Sequence, residues 1–346
     1  MRTGFNPVGK EDTVGEQFSL SEKKEIRRKA QEIAKADLLA RREAVLQESE
    51  EAARKATLAR RSSGGIMNII LLLSSMVFVV CILEIGWYYF KGYQYEKQQN
   101  ELVEGMKGGI ASDIDFSSLE APELVEVNLF PDEGDYQLVS TVRRKFSTEV
   151  SDRWKEQYRY LSSANSDCFG YIEIPDTRIS LPVMFTPKNI EYYLYRNFSG
   201  SYETRGTPFL DKQTKLGESQ NYIIYAHNMH DGSAFGTLPQ YMKEDYYNEH
   251  KYIYFNTAIS EGVYEIFAVC KTQIYSAGSG QFRYHTYGGV LSKSDFELYV
   301  KEVKKMSRYR SDLPVEWGDE LITLSTCYHD QPNDDGRLII VAKRIK

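Results

Sequence analysis

The sequence predicts a mainly β domain, an eight-stranded β-barrel, set behind a single membrane-crossing helix. Between residues 169 and 343 lie eight short runs rich in β-branched and aromatic residues, with few helical patterns between them. Such runs at irregular spacing suggest an antiparallel barrel. An aromatic content of 13%, including 26 Tyr, suits a folded sheet protein. Residues 66–83 form a stretch of eighteen without a charge, close to the length that crosses a bilayer core.

Taken in order, residues 1–20 read as disordered. Ser19 and Glu22 have capping-box spacing, so residues 21–61 read as one long, very polar helix. Its apolar positions (Ile26, Ala30, Ile33, Leu38, Val45) make only a thin stripe without a sustained heptad, which favours a solvated helix over a coiled coil. Residues 66–90 follow as the anchor, with Glu84 the single charge before Lys91. Arg54, Lys55, Arg60 and Arg61 precede the anchor, and cationic flanks stay cytoplasmic. Trp87, Tyr88, Tyr89 and Phe90 suit the outer interface. A single-pass protein in the cell membrane is expected, with its N-terminus cytoplasmic and its C-terminal domain outside.

Charge supports two compartments. Residues 1–65 carry 14 Lys/Arg against 11 Asp/Glu, and the rest carry 29 against 38. The net charge of -6 argues against a nucleic-acid partner. Residues 92–140 hold 11 Asp/Glu against two Lys and read as a mostly extended acidic stalk. The expected layout is a tail at 1–65, an anchor at 66–90, a stalk at 91–140 and a catalytic domain at 141–346.

That last domain should open with an amphipathic helix from about residue 141 to 161, with Trp154, Tyr158 and Leu161 on one side. Strands are expected at 169–174, 179–185, 207–211, 222–227, 252–256, 262–272, 321–327 and 337–343. Pro175-Asp176 marks the turn between the first two. A helix capped by Ser292 should fill 292–308, with Phe296, Tyr299, Val300, Val303 and Met306 on a common face.

Three reactive side chains end strands. Cys327 closes one apolar run and Arg337 opens the next, so an antiparallel pairing sets thiol and guanidinium face to face. His227 closes a third run and is followed by a turn-rich segment. These types suit acyl transfer. A thiolate attacks a carbonyl, and an imidazole protonates the departing amine and later deprotonates an incoming one. The arginine fork holds the oxyanion. Taken singly, each residue has a duller reading: Cys327 as a small buried side chain, His227 as a hydrogen-bonded strand end, Arg337 as an ion-pair partner.

Among the remaining cysteines, Cys81 lies in the anchor. Cys168 and Cys270 sit in apolar settings and read as structural, with a pairing between them left open. His230 and His329 fall in polar loops. No grouping of His, Cys and carboxylates has zinc-like spacing, so no metal is expected.

The motif Thr323-Leu-Ser-Thr-Cys327, with Arg337 ten residues on, resembles the active-site signature of sortases. The segment Tyr225-Ala-His-Asn-Met-His-Asp-Gly-Ser-Ala-Phe-Gly236 is similar to the histidine segment of the class B group. Gly170-Tyr-Ile-Glu-Ile-Pro175, Pro208-Phe-Leu-Asp211 and the helix before the nucleophile strand match that class too. The resemblance covers roughly residues 140–346. Ala226 departs from the glycine that many relatives carry before the histidine.

The resemblance implies a sortase-type eight-stranded barrel with an N-terminal helix, no cofactor, and Cys327, His227 and Arg337 as the catalytic residues. The reaction it implies is cleavage of a sorting pentapeptide after threonine through a thioacyl intermediate. Surface proteins bearing the signal would be donors, and a peptidoglycan precursor or a pilin lysine the amine acceptor. Ser325 and Thr326 are then expected to contact the peptide. The alternatives are a membrane-anchored binding domain with an inert thiol, or another cysteine peptidase. A papain-like order would place the cysteine before the histidine, the reverse of this chain.

Overall fold

The computed structural model describes residues 20–111, 122–129, 139–147, 149–328 and 335–346. The chain divides into one compact unit ending at Tyr89 and a second, Phe90–Lys346. Helix α1 is Leu20–Gly105. Its polar stretch is very exposed and carries helical ion pairs such as Arg41–Asp37 at 3.0 Å and Lys29–Glu25 at 3.4 Å. Pairs four residues apart support a helix whose described side chains in this stretch are exposed. Beyond them, α1 is long and apolar enough by length and composition to cross a membrane. The expected disordered segment and the Ser19 cap lie outside the described residues.

In the second unit, α1 continues where an extended stalk was expected. Tyr95 and Met106 are 3% and 2% exposed, so the acidic composition hid a helix that packs one side. Lys107, in a left-handed conformation at φ 60°, ends it, and Gln157 Nε2 donates to the Met106 carbonyl at 3.1 Å. The Glu173 carboxylate accepts from the amides of Ile110 and Ala111. Strands β1 (Leu124–Leu129) and β2 (Val139–Arg144) then form a two-stranded antiparallel ribbon.

Helix α2 (Asp152–Ala164) starts about eleven residues later than its amphipathic pattern suggested. Residues 139–144 are drawn into β2, and the helix begins at Ser151, whose hydroxyl accepts from the Trp154 amide at 3.1 Å. Trp154 and Leu161 are buried as expected, and Tyr158 is half-buried.

The remaining elements are β3 (Cys168–Glu173), β4 (Ser180–Met184), β5 (Phe209–Leu210), β6 (Asn221–Tyr225), α3 (Glu244–Glu249), β7 (Tyr252–Thr257), β8 (Ser260–Gln273), α4 (Lys293–Met306), β9 (Leu321–Cys327) and β10 (Gly336–Arg344). All eight expected strands are present. They close into a barrel in the order β10-β8-β7-β3-β4-β5-β6-β9. It is not wholly antiparallel: β4 pairs with β5 and β6 with β9 in parallel.

Strands β9 and β10 read as continuous apolar runs because both of their faces are covered. Ile322, Leu324, Leu338, Ile340 and Ala342 fill the barrel. Leu321, Ile339 and Val341 pack instead with Phe296, Tyr299 and Val303 of α4. Alternate residues of a strand point to opposite faces, and this parity decides where the reactive side chains stand.

Candidate active site

Within the barrel β9 lies between β6 and β10. In the β9–β10 register Cys327 is directly opposite Arg337, and directly opposed residues share a face with their Cβ atoms about 5 Å apart. That face is the one carrying Ile339 and Val341, outside the barrel. The pairing extends one bond beyond Cys327, where Tyr328 N donates to Gly336 O at 2.9 Å.

On the other side of β9 the parallel register pairs Tyr225 with Ser325. The ladder goes one bond further, from Ala226 N to Ser325 O at 3.2 Å. Where the next bond in that register would fall, the side-chain amide of Asn228 donates to the Cys327 carbonyl at 3.0 Å. His227, two residues after Tyr225, has the parity of the outer face, as Cys327 has two residues after Ser325. The strand carrying the thiol is flanked on one side by the histidine's strand and on the other by the arginine's.

His227 is half-buried, and its Nε2 lies 2.9 Å from the Leu194 carbonyl. A carbonyl can only accept, so Nε2 carries the hydrogen and Nδ1 holds the lone pair. Burial pushes the imidazole below its ordinary pKa, and the Leu194 hydrogen bond partly opposes that. The ring also lies 5.2 Å from that of Tyr195. Leu194 reaches the imidazole because Gly206, at φ +64°, lets the chain turn tightly behind it. A Cβ there would stand 2.3 Å from the Leu194 oxygen.

Ser325 and Thr326 are 1% and 2% exposed. The Ser325 hydroxyl bonds Tyr284 Oη at 2.7 Å and Thr326 Oγ1 donates to the Ala226 carbonyl at 2.8 Å. Contact of these side chains with a peptide was the expectation. Both hydroxyls are buried and bonded within the fold, on the strand that ends at Cys327. His285 stands nearby, lowered by burial first and then by the charges of Arg283 and Arg337, with Asp211 opposing.

The other thiols of the second unit differ. Cys168 and Cys270 are free and buried, and burial pushes each up to about 12. At neutral pH they are protonated and poor nucleophiles. Cys327 is half-buried and free. His230 is exposed, and His329 lies outside the described residues. Sequence reasoning did not find Asn228, Tyr284 or the Leu194 carbonyl. Asn228 was visible beside His227, whereas a backbone acceptor has no signature in sequence.

Comparison with known proteins agrees with this architecture. The sortase-domain family model matches residues 172–345. Sortase B of Listeria monocytogenes is 32% identical over 200 residues, covering 58% of this chain and 78% of that protein. Sortase B of Staphylococcus aureus is 27% identical over 209 residues, covering 59% and 82%. The structure of B. anthracis sortase B in complex with AAEK1 shares the fold, with a TM-score of 0.54 at 24% identity over 75% of this chain and 99% of that one. A Staphylococcus aureus sortase B–substrate complex has a TM-score of 0.50 at 28% identity over 56% and 86%.

Fold and relatives together define a cysteine transpeptidase that acts on surface proteins. The chain belongs to the sortase family, and its relatives place it in class B. The readings as an inert binding domain or as an unrelated cysteine peptidase fall away.

Proposed function

We propose that Cys327, His227 and Arg337 carry the transpeptidation. The register that sets Cys327 opposite Arg337, with the histidine's strand on the other flank, is the observation behind this reading. The Cys327 thiol passes its proton to His227, and the resulting thiolate attacks the carbonyl carbon of the scissile threonine in a sorting pentapeptide. The carbon–nitrogen bond breaks, and His227 gives its proton to the departing amine, leaving a thioester on Cys327. An amine of a peptidoglycan precursor or a pilin lysine then attacks, gives a proton to His227 and displaces the thiolate. In both steps Arg337 faces the oxyanion, a contribution of about 3 kcal/mol for one donor.

Residues 66–90 of α1 are the proposed single-pass anchor, with the N-terminus cytoplasmic, the catalytic domain outside and residues 91–140 between them. The structure of a relative in complex with its substrate supports a substrate site on this fold. The test supplies the full-length protein with a fluorogenic sorting peptide and an amine. Amine-dependent ligation that disappears in His227→Ala is expected. Unchanged ligation by folded His227→Ala contradicts the assignment. On intact cells, labelling of Cys327 by a membrane-impermeant thiol reagent checks the orientation.

A further inference from the structure

Four residues after His227, Asp231 enters a buried charge cluster that the chemistry above does not use. Arg205 is 2% exposed. Its Nε and Nη2 reach Asp231 Oδ2 at 3.0 and 2.9 Å, and its Nη1 reaches Glu203 Oε1 at 3.1 Å. Such a buried triad adds little net stability, because desolvation consumes most of the attraction. It does impose geometry, through a planar fork with fixed donor directions.

The two carboxylates belong to the two segments that hold the imidazole. Asp231 organises the loop that begins at His227. Its Oδ1 accepts from the Ser233 amide and hydroxyl at 3.0 and 2.5 Å. That loop closes back where Phe235 N donates to the His227 carbonyl at 2.9 Å. Glu203 belongs to the turn that presents Leu194. Its amide donates to the Tyr195 carbonyl, and Thr207 N donates to the Tyr193 carbonyl, each at 3.0 Å. Arg205 therefore ties the segment that carries His227 to the segment whose carbonyl orients it.

The cover of this cluster is the membrane-proximal end of α1. The Tyr95 ring lies 5.7 Å from the Arg205 guanidinium carbon, and a Cβ at Gly92 would stand 3.1 Å from Arg205 Nη2. Gln98 Oε1 accepts from Asn197 Nδ2 at 3.0 Å. Arg178 pairs with Glu96 and also donates to the Asp231 carbonyl.

We propose that Arg205 is a positioning residue for His227, and that residues 92–98 of the membrane-proximal helix hold it in place. Helix docking and histidine geometry are thereby coupled in one chain. This rests on His227 being the catalytic acid and base. A displacement of about 1 Å at a reacting group can cost up to about a hundredfold in rate, so slackening this clamp should appear in turnover rather than in peptide binding.

The experiment uses the full-length protein in detergent, with the reactive thiol titrated by an alkylating agent and kcat expressed per reactive Cys327. Arg205→Met should lower that kcat by about tenfold or more while KM stays within about twofold. Arg205→Lys, which keeps the charge and loses the fork, should recover part of the loss. Gly92→Leu favours the helix itself yet crowds Arg205, and should lower kcat by about threefold or more. A kcat within about twofold of wild type for both Arg205→Met and Gly92→Leu overturns the proposal. If Arg205→Met yields no folded protein, unchanged kcat in Gly92→Leu and Arg205→Lys overturns it equally. His227→Ala is the control: if that variant turns over normally, the histidine assignment has failed, whatever Arg205 does.

Discussion

The two flanks of β9 are built differently. On the Arg337 flank the partners are fixed by backbone register: a short connection returns the chain, and the ladder itself puts Arg337 opposite Cys327. On the His227 flank the ladder ends at Ala226, and side chains take over. Asn228 bonds the Cys327 carbonyl, the Leu194 carbonyl orients the ring, and a buried ion cluster ties both segments together. Register is hard to shift, because a one-residue slip moves every side chain to the other face. Side-chain networks loosen one bond at a time. Substitutions on the Arg337 flank should therefore act through chemistry alone, and those on the His227 flank through graded loss of alignment.

The largest effects test whether the chemistry belongs to this strand at all. Cys327→Ala should abolish cleavage and transfer, whereas Cys168→Ser and Cys270→Ser keep activity, since their thiols are buried and held protonated. Turnover by folded Cys327→Ala would end the comparison. Next comes Arg337→Lys, which keeps a cation in register and removes the planar fork. A fall in kcat of about a hundredfold is expected, with a smaller change in KM, because the interaction strengthens as charge develops. A loss within about threefold would reduce Arg337 to an ion-pair partner.

Asn228→Ala sharpens the other flank. It removes one hydrogen bond, worth about 1 kcal/mol, and should cost about fivefold in kcat while lowering the melting midpoint by only about 2–4 °C. A change of a hundredfold would show that this flank is as rigid as the first.

The smallest effect is a pH dependence. Burial lowers the pKa of both His227 and His285, so on acidification the unfolded chain binds protons near pH 6.5, its ordinary histidine value, before the folded chain does. Their contribution to stability is present above about pH 6.5 and is lost as pH falls through the lower folded values. The melting midpoint should drop on acidification, and His285→Gln should flatten that drop. A slope that His285→Gln leaves unchanged would assign the effect elsewhere.

The same contrast explains what was legible in the sequence. The pairing of Cys327 with Arg337 and the eight strands could be read because short apolar, β-branched and aromatic runs and one short connection determine them. The α4 boundaries followed from Ser292 and its apolar face in the same way. The parallel pairings of β4 with β5 and β6 with β9 depend on long-range closure of the barrel and leave no local pattern. Residues 92–105 read as part of an extended stalk because they open the acidic 92–140 stretch, yet they are helical and bury Tyr95, with Met106 buried just beyond the helix end. Ser325 and Thr326 sit beside the nucleophile in sequence, but strand pairing turned their hydroxyls to internal partners. Their neighbourhood was readable, and their orientation was not.

The central claim is that the acyl group passes through Cys327 and no other thiol. It is tested most directly by incubating full-length protein with a sorting peptide in the absence of an amine, quenching in acid and mapping adducts by mass spectrometry. The expected result is the N-terminal peptide fragment on Cys327 alone, removed by hydroxylamine and missing from Cys327→Ala. An adduct on Cys168 or Cys270, or turnover without any adduct at Cys327 under single-turnover conditions, would contradict it.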